Sequence, residues 1–491
     1  MKRSYRFVLC FISVLLTCAT IAAKEAGPLK VGVVEKDITP PVGFPMAGYY
    51  HERLAEGTMD PLKAKAIVFR SADTSAALVV CDLIGIATDL SAQIRRLASE
   101  ATGIPTENIV IAATHTHTAP DYMRELWLYL GEVQQEPLRK EYVRKLIDQN
   151  VAAIEEAYAA AKAVSLAAGY AIQEIPVAFN RRFVTRDGSV ETWASLSNPN
   201  VVRAAGPIDP QIGLLAIRDP SSQSIVGVLS NFALHLDTVG GMQWSADYPF
   251  FIQRSLQKTL GENVISIFAT GCCGDINHVN PASTDRNKAD FIGAALGDSI
   301  TAKLDDMKPL PGKNLSVRSQ LVLLPLQDAS KDEVTRSIEI LKLAKAGEKV
   351  EFLDHVTAYK KLIIDQFRNK APHAAPDQLT WGLSRSLAGT GDMLPVSVTV
   401  IGIDSDAAIV CLPGEVFVDL GLAIKQASPF RTTIIVELSN AVETIYVPHR
   451  AAYAGGSYEV TNSTVQPGSG EMLVETAVGL LRATATANVQ E

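Results

Sequence analysis

The chain has 491 residues, with 53 acidic against 45 basic side chains and a formal net charge of −8 at pH 7. That length can bury a large core. The acidic balance argues against nucleic acid or an anionic membrane surface as the main partner, because both call for a basic footprint.

The chain begins as a leader. Lys2, Arg3 and Arg6 precede the apolar run 7–16, and the small residues Ala19, Ala22 and Ala23 follow it. This pattern predicts a signal peptide over residues 1–23, cleaved after Ala22 or Ala23, and an exported protein, periplasmic or secreted. Leu15-Leu16-Thr17-Cys18 loosely resembles a lipobox, but Thr17 fits it poorly, so lipoprotein anchoring is the less favoured variant. No later stretch reaches the roughly 18 consecutive apolar residues of a membrane span.

Past the leader no internal repeat or low-complexity tract is visible, so the architecture is read from alternating strand and helix patterns. Strand-like runs fall at 30–34, 64–69, 77–81, 108–112, 213–217, 225–229, 264–268, 315–324, 396–401 and 433–436. Amphipathic helices are expected at 89–101, 140–162, 248–260 and 286–304, with a closing helix at 471–481. The expectation is an α/β fold: one large catalytic domain over 28–491, with a mixed β-sheet flanked by helices. Residues 331–370 are rich in Lys and Glu with helical periodicity. They read as a peripheral helical hairpin turning at Ala346-Gly347-Glu348, within an insertion over about 328–372. A solvated arm is the default for such a segment, and a lid over a site is the alternative.

Four cysteines lie beyond the leader. Cys81 and Cys411 end apolar runs, and Cys272 and Cys273 sit beside a Gly-rich turn, so buried thiols are expected rather than a disulfide scaffold.

Chemistry-bearing residues gather where strands run out. Thr114-His115-Thr116-His117 follows one apolar run; on extended chain residues i and i+2 point the same way, so both imidazoles would face one cavity. An H-x-H pair alone fits two hydrogen-bonded loop histidines equally well. His235 ends a second such run, Val228-Leu229-Ser230-Asn231-Phe232-Ala233-Leu234. In Cys411-Leu412-Pro413-Gly414-Glu415 a strand and a Pro-Gly turn lead to a helix beginning near Val416, which puts Glu415 in its first turn as a complement to the helix dipole. Residues 440–448 read as a strand with Tyr446 near its end, and Tyr453 and Tyr458 follow. None of these is a local zinc motif such as H-E-x-x-H, and periodicity alone does not assemble a site.

Taken together, Asp37-Ile38-Thr39-Pro40-Pro41, Thr114 to His117, Asn231 to His235, Gly271-Cys272-Cys273-Gly274-Asp275-Ile276-Asn277, Leu412 to Glu415 and Tyr446 to Tyr458 resemble the neutral, non-lysosomal ceramidase family, in the same order, over about residues 30–465. The resemblance implies a zinc amidase with one Zn²⁺ held by His115, His235, Glu415 and Tyr446. It places His117 as the residue that hydrogen-bonds the oxyanion or passes a proton to the leaving amine, with Arg181 (or its neighbour Arg182) and Tyr458 orienting the substrate's polar head. The implied partner is a small-molecule or lipid substrate, an N-acylsphingosine cleaved to fatty acid and sphingoid base.

Two departures stand out. Asn277 occupies the place of the family's catalytic serine; an amide is no nucleophile, though it can hydrogen-bond around a tetrahedral intermediate. The chain also stops about 33 residues past Tyr458, so no C-terminal β-sandwich is expected. Two alternatives follow: a zinc esterase or deacylase acting on an acylated carbohydrate or other polar acyl compound, and a non-catalytic binding protein of the same fold.

Overall fold

The structure, a computed structural model, describes residues 27–131, 134–283, 286–369 and 384–490. The leader read from residues 1–23 lies outside them.

Three sheets carry the fold, and each follows one order of elements. In the first, β1 (Lys30–Asp37), β2 (Lys63–Arg70) and β3 (Ser75–Cys81) pair antiparallel; the chain crosses through α1 (Thr88–Thr102), and β4 (Ile109–Ala113) returns parallel to β3. α2 (Pro137–Ala160) then packs on α1 and this sheet. The second sheet repeats the scheme with β5 (Ser165–Ile172), β6 (Gln211–Arg218) and β7 (Ile225–Phe232), the crossover α3 (Tyr248–Leu260), β8 (Ile265–Thr270) parallel to β7, and α4 (Ala289–Lys303). The third starts with β9 (Leu315–Pro325) and is interrupted by α5 (Lys331–Lys345) and α6 (Phe352–Asn369). It resumes with β10 (Met393–Ile403) and β11 (Ala407–Cys411), crosses through α7 (Val418–Ala427), adds β12 (Thr432–Val436) parallel to β11, and closes with α8 (Ser469–Gln490).

The repetition is topological, which is why the sequence shows none. A sheet of this order needs only apolar residues at the right period, and different residues satisfy that in each case. Leu78, Val110, Leu229, Ile267, Ile409 and Ile434, drawn from all three sheets, share one central core. The opposite face of each sheet closes under its own helices. Strands such as β4 and β11 are therefore covered on both sides, and every residue in them is buried. That explains their unbroken apolar runs.

The hairpin differs from expectation. α5 is the solvated arm, started by a capping box between Ser330 and Glu333 and burying little besides Ser337. α6 is not solvated: Val356, Ala358, Lys360, Leu362, Ile363, Ile364 and Phe367 are buried along it. Its charged residues misled because Lys360 points inward. The four cysteines beyond the leader are free and buried. Among the described residues no helix is long and apolar enough to cross a membrane.

Candidate active site

The carboxyl ends of β4 and β11 open onto one cavity, the place where ligands bind in open α/β sheets, and that of β7 brings His235 up behind its lining. Its volume is about 580 Å³, and His115, His117, Glu415, Tyr446 and Tyr458 line it. Each of the three sheets contributes one side of a compact donor cluster.

From the first sheet, the backbone turns sharply after β4. His115 adopts φ 76°, and its N–H donates to the Leu83 carbonyl at 2.9 Å. The two histidines therefore do not converge by lying on extended chain, as the i, i+2 argument supposed; the left-handed turn brings their rings to 5.0 Å between centroids. From the second sheet comes His235, joined to the first loop by a parallel bridge between Thr116 and Leu236 and by the His117 N–H on the Leu236 carbonyl at 3.0 Å. From the third comes Glu415. It lies in a two-residue strand, Glu415–Val416, paired parallel with Tyr446–Val447, and α7 begins only at Val418. Glu415 is therefore not in a helical first turn, and 440–448 is a loop reaching strand only at Tyr446. Gly414 makes this possible: its φ is +67°, and a Cβ there would stand 1.9 Å from the Thr444 hydroxyl.

The geometry is that of a metal-ligand set. The His115 Nδ1 meets the Ile84 carbonyl at 2.6 Å and the His235 Nδ1 meets the Cys273 carbonyl at 2.9 Å. These bonds assign the proton to Nδ1 in both rings and leave the Nε2 lone pairs free, the usual outer-sphere arrangement of ligating histidines. The two Nε2 atoms face each other at 3.1 Å, and Glu415 Oε2 lies 3.3 Å from one and 3.2 Å from the other. That oxygen is buried without a hydrogen bond. Two lone pairs and a carboxylate oxygen pointed at one spot repel unless a cation lies between them, so the residues present fit a metal. The ligand atoms of His115, His117 and His235 all lie within 4.8 Å of one another. Without an ion, burial lowers the pKa of His115, but the Glu415 carboxylate more than reverses this and leaves it above 6.5. For Glu415, burial pushes upward and the neighbouring His115 outweighs it, holding the carboxyl well below its usual range.

Tyr446 is the Cα register partner of Glu415, and its hydroxyl accepts a hydrogen bond from Arg181 Nη2 at 3.0 Å. Burial raises this phenol well above its usual pKa, with Glu415 adding to the rise. Arg181 is 3 % exposed and committed to the protein: its Nε donates to Glu459 at 2.7 Å and its Nη2 to the Gly274 carbonyl at 2.9 Å. It positions Tyr446. Arg182 shares Glu459 at 3.2 Å and lines neither this cavity nor the second one described below.

His117 is fixed differently. Its Nδ1 lies 3.2 Å from the Gly48 carbonyl, and its Nε2 is buried with no partner. Gly48 has φ +101°, and a Cβ there would meet the His117 backbone at 2.7 Å. Burial, with His115 beside it, lowers the His117 pKa to about 3, so the ring is neutral with a free acceptor nitrogen.

Asn277 is not brought into this cavity. It lines a second one of about 340 Å³ with Tyr49, Arg181, Trp193 and Asp237, and its Oδ1 accepts the Val279 N–H at 3.2 Å. His278 is 1 % exposed, with its Nδ1 3.0 Å from Asp237.

Sequence reading missed Glu437. It is fully buried, its Oε2 accepts the N–H groups of Val416 at 2.7 Å and Cys273 at 3.2 Å, and the Cys273 thiol donates to its Oε1 at 3.0 Å. One side chain thus ties the Glu415 strand to the loop whose carbonyl orients His235. The available signal was an acidic residue directly after an apolar strand, Ile434-Ile435-Val436-Glu437.

Residues 29–242 match the family model described as neutral/alkaline non-lysosomal ceramidase, N-terminal. The fold is that of the neutral ceramidase from Pseudomonas aeruginosa, with a TM-score of 0.65 at 20 % identity over 93 % of this chain and 75 % of that one. A ceramidase complexed with C2 gives a TM-score of 0.64 at 18 % identity, over 93 % of this chain and 76 % of that one. No curated protein matches the chain.

Proposed function

Since residues 29–242 carry the N-terminal region of the neutral/alkaline non-lysosomal ceramidases, we infer that this protein is a zinc-dependent, ceramidase-like hydrolase that cleaves an amide bond in an N-acyl lipid. The observation that carries the reading is the pair of facing Nε2 atoms at 3.1 Å with the unpartnered Glu415 oxygen beside them. His115, His235, Glu415 and the Tyr446 hydroxyl would hold the ion, a borderline donor set suited to zinc. Bound there, zinc supplies Lewis acidity towards a carbonyl and lowers the pKa of a water towards about 7.

The protein's own groups do the rest. His117 is neutral with Nε2 as an acceptor, so it takes the proton of the attacking water and returns it to the leaving amine. Arg181 keeps Tyr446 in place. The Tyr458 hydroxyl lines the same cavity and can donate to the acyl oxygen. Ile84, Met123, Leu341, Val442 and Ile445 give the cavity an apolar side for an acyl chain. The serine expected of the family is replaced by Asn277 in a separate cavity, and this route does not use it. The leader pattern supports an exported enzyme, acting outside the cytoplasm.

A second reading, hydrolysis of a polar acyl compound such as an acylated carbohydrate, draws on Glu52, Asp121, Arg124 and Lys345 in the same lining. One experiment separates them: metal content of the purified protein, with hydrolysis of a short-chain fluorescent ceramide and of a generic acyl ester, each with and without chelator. Near-stoichiometric zinc and chelator-sensitive amide cleavage are expected. Ester cleavage alone selects the second reading, and metal-free protein of full activity ends both.

A further inference from the structure

Trp193 is bulky, 48 % exposed and held at φ 62°, a left-handed conformation that such residues rarely adopt. Its surroundings impose this. The Trp193 N–H donates to the Arg181 carbonyl at 2.8 Å, and Thr192 is fastened to Ser457 and Glu459 through its N–H and its hydroxyl, at 3.0 and 2.7 Å. On the other side the Leu196 N–H donates to the Pro281 carbonyl at 3.0 Å. Strain kept in place by this many bonds points to a task for the side chain, and the indole forms one wall of the smaller cavity of about 340 Å³.

That cavity adjoins the larger one. Tyr49 lines both, and Trp193 packs on Tyr458 of the larger cavity at 4.8 Å between centroids. The hydrolytic route set out above leaves the polar groups of the smaller cavity unused. Asn277 is 4 % exposed; its Oδ1 is taken by the Val279 N–H, and its Nδ2 has no protein partner among the described residues, which leaves a donor on the cavity wall. Asp237 supplies an acceptor, its carboxylate 3.0 Å from the His278 ring. A donor and a carboxylate in one cavity match hydroxyl groups, which accept and donate at once. Phe183, Val279 and Pro281 add apolar surface, and the exposed indole offers a flat face to C–H bonds. Asp237 opposes an anion, and the Arg181 guanidinium, 5.8 Å from the Trp193 centroid, opposes a second cation. What remains is an uncharged ring with hydroxyls on its edge and C–H bonds on its faces.

We propose that the smaller cavity is a subsite for a sugar ring, stacked on Trp193 and hydrogen-bonded by Asn277 and Asp237, which receives the part of the substrate beyond the acyl bond. The proposal deepens the hydrolase reading and rests on it for that bond. It gives Asn277 a task in recognition, at the position where the family resemblance leads one to expect a serine.

Hexyl glucoside and hexylglycerol are the probes. Each carries an apolar chain and hydroxyls, only the first has a ring, and neither has an acyl bond to cleave. Calorimetric titration of the purified protein is expected to show about tenfold tighter binding of the glucoside; equal affinities overturn the proposal. Trp193→Gly keeps a residue that suits this backbone. It should bring the glucoside down to the affinity of hexylglycerol and leave hexylglycerol unchanged, whereas an equal loss for both marks a structural role and overturns the proposal. Asn277→Leu should weaken the glucoside about two- to tenfold, and parental affinity there overturns the assignment. Arg286 also lines the cavity, so inorganic phosphate is the control: displacement of the glucoside by phosphate marks an anion site and overturns the proposal. The subsite and the hydrolase reading fail separately. Protein that cleaves the short-chain ceramide but binds both probes alike keeps the hydrolase reading and loses the subsite. Protein that cleaves no acyl substrate but prefers the glucoside does the reverse.

Discussion

His115 and Glu415 line the cavity from the strand ends of two sheets, with His235 behind them from a third, whereas Tyr50, Tyr458 and Asn462 line it from a loop and a short helix braced by the hairpin. The first side is held by backbone: carbonyls fix both Nδ1 atoms, and Glu437 binds two backbone N–H groups. The second is held by side chains on side chains. Strand ends closed by backbone bonds are rigid and suit a metal, which tolerates little displacement. A wall of aromatic rings and one amide can be reshaped without unfolding the sheets, so substrate choice belongs there.

Substitutions should separate the two sides. The largest effect is expected from His235→Ala or Glu415→Ala, which should abolish stoichiometric metal binding, a larger loss than the roughly 10–100-fold that removing an outer partner costs. Dialysis against graded zinc with elemental analysis reads this directly, and parental affinity in either variant would remove that residue from the ligand set. Next is Glu437. Burial raises its carboxyl well above the usual range, which favours the protonated form. Glu437→Gln should therefore hold metal almost as the parent does. Glu437→Ala should lose about 10–100-fold in affinity and about 1–3 kcal/mol for each orphaned N–H. Similar affinities for the two variants would show that the carboxyl does not brace the ligands.

Asp82 gives a smaller effect with a defined sign. Burial raises it to about 6, although Lys65 pulls the other way. Since its folded value lies above its unfolded one, the stability it contributes is fully present below about pH 4 and is lost as pH rises through about 6. Denaturant unfolding at pH 4.5 and pH 8 should show Asp82→Asn removing about 1–3 kcal/mol of that decline; an unchanged slope would mean that Asp82 titrates normally. The smallest effect belongs to the hairpin rim. Phe352 is 45 % exposed, so Phe352→Ala should leave stability within about 0.5 kcal/mol and raise KM with kcat held. A large loss of stability there would erase the contrast between the two sides.

Most of the architecture is legible in the sequence because the β3, β4, β7 and β11 runs are apolar enough to be strands by period and length alone. The α3 bounds, Tyr248–Leu260, follow from periodicity closed by Gly261. What escapes is what depends on backbone geometry or on distant partners. The left-handed turn at His115 has no glycine to announce it. The two-residue strand at Glu415 is too short for any period and exists only because Tyr446 lies beside it. Lys360 reads as one more surface lysine, since nothing near it in sequence says that its amine is buried against Asn462.

Because each of the three sheets supplies one donor, the cluster is complete only when all three have docked on their common core. An ion held there acts as a keystone and not as an ornament on a finished fold. At a free concentration a thousand times its Kd, it would add about 4 kcal/mol to the whole assembly. Chelation would then loosen three distant regions of the chain together, and amide protection in β4, β7 and β11 would fall in concert rather than around any single histidine.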